Sequence, residues 1–354
     1  MKLDSASLYK KHDTQDLGAV LHLLPNQSLL AWQDTKEIKI DSWQKDVDHI
    51  VVVGMGGSAL GAEMAVAICA DELKLPVTII RNDCLPAWIN KRTLVILSSF
   101  SGNTYEVIKC ADQAHKAKAH IVAVTSGGQL QKMAKSKGWP CYCFDPHDYA
   151  PEPRFGLGFS LFSILAMFNK LKICTTAEKD IDQSIQAMNE VVDMCAADIP
   201  THENVAKQVA EALYEKNVLI VGASHLSGVA HAFANHCNET AKNSAFSSIL
   251  PEMNHHFFES LAFPARHTKD VAVILINSNL YSKENIKRMN IAATMLEKDG
   301  VSVIEYIARG KTALEENGEV LQFALYVAYY LAMRNGVDPA TNHRVDEIKE
   351  RLAL

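Results

Sequence analysis

The feature that most constrains this chain is an alternation. Short β-branched runs are separated by stretches with helical spacing, first over residues 49–144 and again over residues 217–306. Strands linked through crossover helices run parallel, so the pattern predicts parallel sheets wrapped by helices, an α/β fold. In the first stretch, strands are predicted at 49–53, 77–81, 93–98, 120–125 and 140–144, with helices over 59–73, 104–119 and 129–137. Pro146, Pro151 and Pro153 then interrupt the pattern. Proline cannot continue a helix and removes a donor from a central strand, so a domain boundary is expected at 154/155. A buried helix over 155–172 and an amphipathic one over 176–196 follow, and the alternation restarts. Strands are predicted at 217–221, 247–250, 271–276 and 301–306, with helices over 227–242, 285–299 and 320–334. A tail over 336–354 holds turns and a last short helix. Val51-Val52-Val53-Gly54 and Leu219-Ile220-Val221-Gly222 both end a strand with glycine before a helix. That echo points to an internal duplication, with two sheets sharing one cleft.

Two strand ends carry chemistry. Gly54-Met55-Gly56-Gly57-Ser58-Ala59-Leu60-Gly61 follows a strand and opens a helix. Backbone N–H groups at Gly56, Gly57 and Ser58 and the helix dipole then point at whatever anion sits there. The same letters satisfy a loose dinucleotide fingerprint, and a tight turn made for packing is the plainer alternative. Ser98-Ser99-Phe100-Ser101-Gly102-Asn103-Thr104 lies at the end of the third predicted strand. Ser99, Ser101 and Thr104 supply hydroxyls suited to a monoester phosphate, Gly102 lets the backbone approach, and Thr104 can cap the helix. An ordinary helix cap explains the same letters. A dinucleotide site would want an acidic residue at the end of the second strand; Arg81, Asn82 and Asp83 leave that test open. Neighbouring strand ends converge on one crevice, so together the loops favour a phosphorylated small molecule.

Charge and composition exclude several other functions. Lys and Arg total 35 against 41 Asp and Glu, a net charge of -6, the wrong sign for neutralising nucleic-acid phosphates. The longest apolar runs fall far short of the roughly 20 residues that span a bilayer, so no membrane partner is expected. Residues 1–11 have no apolar core of a secretory signal, and eight scattered cysteines fit a reducing cytoplasm. His231 and His236 are five apart on different faces of a helix, so no metal is expected. Cys141 and Cys143 are read as core thiols on opposite strand faces, and Tyr326, Tyr329 and Tyr330 as core or interface.

The two loops, in this order and context, look like a sugar isomerase (SIS) domain. The likeness extends through residues 9–17, Pro153-Arg154, Asn238-Glu239, Pro251-Glu252-Met253-Asn254-His255, Gly336-Val337-Asp338-Pro339 and Asp346-Glu347-Ile348-Lys349. With these segments nearly the whole chain resembles the bifunctional phosphoglucose/phosphomannose isomerase family. The resemblance implies two SIS-type, flavodoxin-like subdomains related by duplication, here residues 1–154 and 155–335, with 336–354 completing the site. It also implies a homodimer with a shared active site, a phosphosugar substrate and no cofactor. The reaction would interconvert glucose 6-phosphate or mannose 6-phosphate with fructose 6-phosphate.

Aldose–ketose isomerisation moves a proton between C1 and C2 through an enediolate, so it needs a base that takes and returns that proton. Glu239 matches the family's base; on spacing alone it is a surface residue of an amphipathic helix. Ring opening needs a proton carrier, for which histidine is suited near neutral pH. His255 matches the family's histidine, which in relatives reaches the neighbouring subunit's site, and Lys349 matches a lysine that assists at the ring oxygen. Arg154 matches an arginine that steadies the enediolate charge. Without the resemblance these three read as a loop histidine, a solvated charge and a surface salt bridge. Two departures stand out: His255 is followed by His256-Phe257-Phe258 where relatives have Asn and Glu, and Ala340-Thr341-Asn342-His343 replaces a proline-containing stretch. In relatives a threonine there is linked to accepting the mannose epimer. Rival readings are a non-catalytic sugar-phosphate binder on the same fold, an isomerase of another phosphosugar, and a dinucleotide-dependent oxidoreductase.

Overall fold

A computed structural model describes residues 3–352. The first half holds α1 (Ala6–His12), α2 (Leu24–Lys36), β1 (His49–Val53), α3 (Gly57–Ile68), β2 (Val77–Ile80), β3 (Thr93–Ser99), α4 (Tyr105–Lys116), β4 (His120–Thr125), α5 (Gly128–Lys137), β5 (Cys141–Cys143) and α6 (Leu157–Lys170). The second holds α7 (Glu178–Cys195), α8 (Val205–Leu213), β6 (Asn217–Ala223), α9 (Ser227–Glu239), β7 (Ala245–Leu250), α10 (His267–Asp270), β8 (Val271–Ser278), α11 (Lys283–Lys298), β9 (Ser302–Ala308), α12 (Ala313–Asn335) and α13 (His343–Leu352). They form two compact units, each drawn from distant stretches. One comprises Leu23–Glu178 with the residues from His343 on; the other comprises the residues up to His22 with Lys179–Asn342.

In the first unit all strands are parallel, in the order β2-β1-β3-β4-β5, with Val51 beside Thr78 on one side and Val95 on the other. This is the flavodoxin-like order, and its reversal between β1 and β3 opens a crevice at the carboxyl ends of those strands. Residues Ile50–Val53 and Thr93–Ser99 are buried throughout, which is why they read as continuous apolar runs: helices cover both faces. The next helix, α6, is buried from Leu157 to Phe168, apolar on every side, and packs on α2 and α3. A Cβ on Gly61 would lie 2.2 Å from the Ser160 hydroxyl, and one on Gly158 would lie 2.6 Å from that of Ser28, so these helices approach backbone to backbone. That packing holds residues 155–178 with the first sheet, whereas the sequence reading draws its boundary at 154/155.

The second unit repeats the design. Its parallel sheet, β7-β6-β8-β9, reproduces the first four positions of the other sheet and bears out the duplication. Helix α12, predicted from residue 320, begins at Ala313, where Thr312 accepts a hydrogen bond from the Glu315 N–H at 3.2 Å. Three carboxylates in its first turns obscured this start, yet all are buried. Glu315 accepts from the Lys311 N–H, Glu316 holds His225 at 2.6 Å, and Glu319 accepts from Arg309 and Tyr306. Helix α8, absent from the sequence reading, is capped by Asn204, whose side chain accepts from the Lys207 N–H at 3.0 Å. Tyr326, Tyr329 and Tyr330 are core residues, and Tyr330 donates to the carbonyl of Cys195.

The reading of Cys141 and Cys143 is corrected. Residues two apart on a strand share a side, and β5 is an edge strand, so Cys143 is exposed and Cys141 only partly covered. Among the described residues, no helix is long and apolar enough to cross a membrane.

Candidate functional site

In the first unit the site forms where β1 and β3 end. β1 gives way to the turn before α3, whose N-cap is Gly56 at φ +49° with no side-chain cap. β3 gives way to the loop before α4. Thr104 occupies that N-cap position in an extended conformation, yet its hydroxyl does not cap the helix as expected. It meets Ser99 Oγ at 2.7 Å, and Ser99 Oγ also accepts from the Gly102 N–H at 3.1 Å. An uncapped helix start leaves backbone N–H groups open, but at α3 the Ser58 N–H donates to the Met55 carbonyl at 3.1 Å and the Ala59 N–H to the Gly56 carbonyl at 3.0 Å. Two helix starts on adjacent strand ends still bring together positive helix-dipole charge, with the uncapped start of α4 beside it, an arrangement suited to a dianionic phosphate.

The loops are tied to each other. Ser58 Oγ accepts from the Phe100 N–H at 3.1 Å, and the Ser58 carbonyl accepts from Ser160 Oγ at 3.2 Å. Gly57 lies against the Pro153 carbonyl, where a Cβ would come within 3.0 Å, so the turn carrying Arg154 abuts the cradle. Together Gly57, Ser58, Ser98, Phe100, Pro153 and Ser160 line a small recess. Ser99 is 1% exposed and its hydroxyl is spent inside the loop. Ser101 is exposed, with Oγ accepting from the Asn103 N–H at 3.2 Å. Of the residues expected to hold phosphate, Gly57 and Ser58 line this recess, Gly56 and Ser101 stand in the two adjoining loops, and the Ser99 and Thr104 hydroxyls are bonded to each other.

A third segment went unrecognised in the sequence. Thr125-Ser126-Gly127-Gly128 runs from the last residue of β4 into the first of α5 and is bonded to the Ser101 loop. Both the N–H and the hydroxyl of Ser126 donate to the Phe100 carbonyl, and the Gln129 N–H donates to Asn103 Oδ1. Hydroxyl residues and paired glycines between strand and helix repeat the signal of the other two loops and could have found it.

Arg154 is no surface residue. It is 4% exposed, with its guanidinium 5.1 Å from the Phe155 ring centroid and Nη1 3.5 Å from Glu152 Oε2. Lys349 stands on α13, none of whose residues is buried, so its ammonium lies in solvent.

In the second unit Glu239 is the last residue of α9 and is partly covered. Its neighbour Asn238 pins the start of β7, donating to the Ala245 carbonyl at 2.8 Å and accepting its N–H at 2.9 Å. His255 closes a short 3-10 turn (Glu252–His255) beyond the other end of β7 and is exposed. The strand between them spans five residue steps, about 17 Å. Two residues at opposite ends of β7 do not reach the same carbon atoms. Among the described residues no cluster of three or more histidine, cysteine or acidic side chains could hold a metal.

The comparisons agree with this geometry. Residues 202–352 match the family model of the bacterial phospho-glucose isomerase C-terminal SIS domain. A protein of Caldicellulosiruptor bescii named bifunctional phosphoglucose/phosphomannose isomerase is 28% identical over 93% of this chain and 97% of its own length. One of the same name from Thermoplasma volcanium is 28% identical over 86% and 92%. Among solved structures, a hypothetical protein from Thermus thermophilus superposes with a TM-score of 0.74 at 16% identity, over 98% of this chain and 93% of its own, which speaks to the fold. Over most of its length the chain is thus similar to proteins named bifunctional phosphoglucose/phosphomannose isomerase, and its residues 202–352 match a bacterial phospho-glucose isomerase SIS domain.

Proposed function

We propose that this protein is a phosphosugar aldose–ketose isomerase that interconverts glucose 6-phosphate and mannose 6-phosphate with fructose 6-phosphate. The observation that carries the reading is the pair of helix starts without side-chain caps at the ends of β1 and β3, joined through Ser58 and Phe100. They offer positive helix-dipole charge to a terminal phosphate and leave the sugar carbons free for proton transfer.

In this reading the cradle holds the phosphate while His255 and Lys349 open the ring by moving a proton from O1 to the ring oxygen. Glu239 removes the proton from C2 of the open aldose and returns it to C1, and O2 loses its proton as O1 gains one. Arg154 stabilises the negative charge of the enediolate between the two steps. Glucose and mannose 6-phosphates differ only at C2, and deprotonation there erases the difference. One base and one enediolate therefore serve both epimers.

The opposite placement of Glu239 and His255 along β7 supports a homodimer in which a second copy supplies His255 to each site. Exposed Val345, Ile348 and Leu352 on α13 provide apolar surface that a second copy would cover. We place the enzyme in the cytoplasm, in keeping with eight cysteines that are all free thiols.

The test is a coupled assay with EDTA present, supplying fructose 6-phosphate and following the two aldose phosphates separately, with Glu239→Gln beside the wild type. Formation of either aldose that disappears in the variant is the expected result. No product from a folded protein that still binds fructose 6-phosphate would overturn the assignment in favour of another phosphosugar or a binder.

A further inference from the structure

One buried hydroxyl that the proposed reaction does not use is bonded to the cradle. Ser160, on α6, is 6% exposed and fits a notch in α3, where a Cβ on Gly61 would lie 2.2 Å from its Oγ and 2.5 Å from its Cβ. From that notch Oγ donates to the Ser58 carbonyl at 3.2 Å. Ser58 in turn holds the next loop, since its own hydroxyl accepts from the Phe100 N–H at 3.1 Å. Phe100 is gripped at two further points. Its ring lies against Gly156, where a Cβ would come within 2.5 Å, and its carbonyl accepts from both the N–H and the hydroxyl of Ser126.

We propose that Ser160 is a positioning residue for phosphate binding: it holds Ser58 in the orientation that fixes the Phe100–Ser101 loop, and so sets the spacing between the starts of α3 and α4. The inference rests on the phosphosugar reading, because the cradle is the site that Ser160 tunes. Ser58 is the second residue of α3, and it carries the bond from helix to loop. Its carbonyl is engaged from α6 and its hydroxyl from the segment after β3. Serine suits the notch at Gly61. It is small enough for two helices whose backbones approach closely, and it brings a donor for the carbonyl across the gap.

The same helix also carries the Arg154 turn. Pro153–Phe155 leads through Gly156 directly into α6, and the Ser160 N–H donates to the Gly156 carbonyl at 3.4 Å. Gly57 lies against the Pro153 carbonyl, so α6 meets the start of α3 both at this turn and at Ser160. The Ser160 hydroxyl is committed to Ser58 and donates nothing to a ligand. Its loss therefore weakens a hold on the phosphate that the bound substrate and the transition state share, which raises KM and leaves kcat.

Calorimetric titration with fructose 6-phosphate and with inorganic phosphate, beside steady-state isomerase kinetics, tests this. Ser160→Ala should bind both ligands about three- to tenfold more weakly and raise KM by a similar factor, the worth of one hydrogen bond. Its kcat should stay within about twofold of wild type. Ser163→Ala is the structural control. Ser163 is fully buried on the same helix and donates to the Ser160 carbonyl at 3.1 Å, so its loss removes a comparable bond without reaching Ser58. Both variants should lower the urea midpoint, but Ser163→Ala should bind as wild type does. In a Ser58→Ala background the hydroxyl that holds Phe100 is already gone, so Ser160→Ala should cost less than about twofold in affinity. Should Ser160→Ala fail to fold, Ser160→Cys, with a weaker donor at the same place, should show the same loss to a smaller extent. Equal binding by wild type and the Ser160 variant would overturn the proposal and leave the isomerase reading standing, as would an equal loss in Ser163→Ala or full additivity with Ser58→Ala. A wild type that binds neither ligand would overturn both.

Discussion

Gly102 is where a single methyl group should damage the cradle most. Its φ is +69°, and a Cβ there would lie 1.9 Å from the Gly127 carbonyl oxygen, 2.7 Å from the Gly127 carbonyl carbon and 2.7 Å from Thr125 Oγ1. Carbon atoms in ordinary contact sit about 3.5–4 Å from their neighbours, so the oxygen must move by more than about 1 Å. The obstacle is backbone, which cannot rotate away. A left-handed conformation costs an L-residue about 1–2 kcal/mol, and forcing an extra carbon into a packed site adds about 1–3 kcal/mol, giving about 2–5 kcal/mol for Gly102→Ala. Gly138 separates the two contributions. It follows α5 with φ +70° and has nothing within 4 Å of a would-be Cβ, so Gly138→Ala should lose only the conformational part. Urea unfolding followed by circular dichroism should rank Gly102→Ala below Gly138→Ala by about 1 kcal/mol or more. The shift of the turn also displaces Ser101 and the start of α4, so fructose 6-phosphate should bind about tenfold more weakly, equivalent to about 1.4 kcal/mol, to Gly102→Ala alone. Equal midpoints and unchanged binding for the two variants would refute the argument.

Other perturbations reach different parts of the molecule. Glu239→Gln should lower isomerase turnover by about 10²–10⁴ in the coupled assay while fructose 6-phosphate still binds. Co-expressing Glu239→Gln with His255→Ala should restore activity that neither has alone, because a mixed dimer contains one site with both residues intact; no restoration in a verified mixed dimer would count against the shared site. Lys207, 1% exposed, donates to the carbonyls of Ala197 and Ile199 and to Asp4, so Lys207→Met should destabilise the second unit by about 2–4 kcal/mol in urea unfolding. Glu178 is held below its usual pKa by hydrogen bonds from Lys36 and then Trp32. Its stabilisation is therefore present above the unfolded value of 4.5 and is lost as pH falls through the lower folded value. Because the side chain is 65% exposed, the effect is small, about 0.2–1 kcal/mol. Wild type and Glu178→Gln should differ at pH 7 and converge in acid, as read from unfolding midpoints.

The sequence by itself determined the α/β class, most strand positions and the two hydroxyl- and glycine-rich loops. Those features rest on local chemistry: β-branched runs at 50–53 and 93–98 buried on both faces, and glycines where a strand turns into a helix. The resemblance added roles for Glu239, His255, Lys349 and Arg154 that no local pattern could distinguish from surface charge. Only the tertiary structure decided which stretches belong together, since α6 joins the first sheet through Gly61 and Gly158, whose lack of a side chain means closeness only once Ser160 and Ser28 stand opposite. It turned the glutamates that open α12 from an apparent surface into buried hydrogen-bond acceptors, because their partners come from residues distant in sequence such as His225. It also reassigned Ser99 and Thr104 from free hydroxyls and a helix cap to a mutual hydrogen bond, leaving the start of α4 open. Residue type determines which bonds a side chain can make; the partners within reach, which only the folded chain supplies, determine which bond it makes.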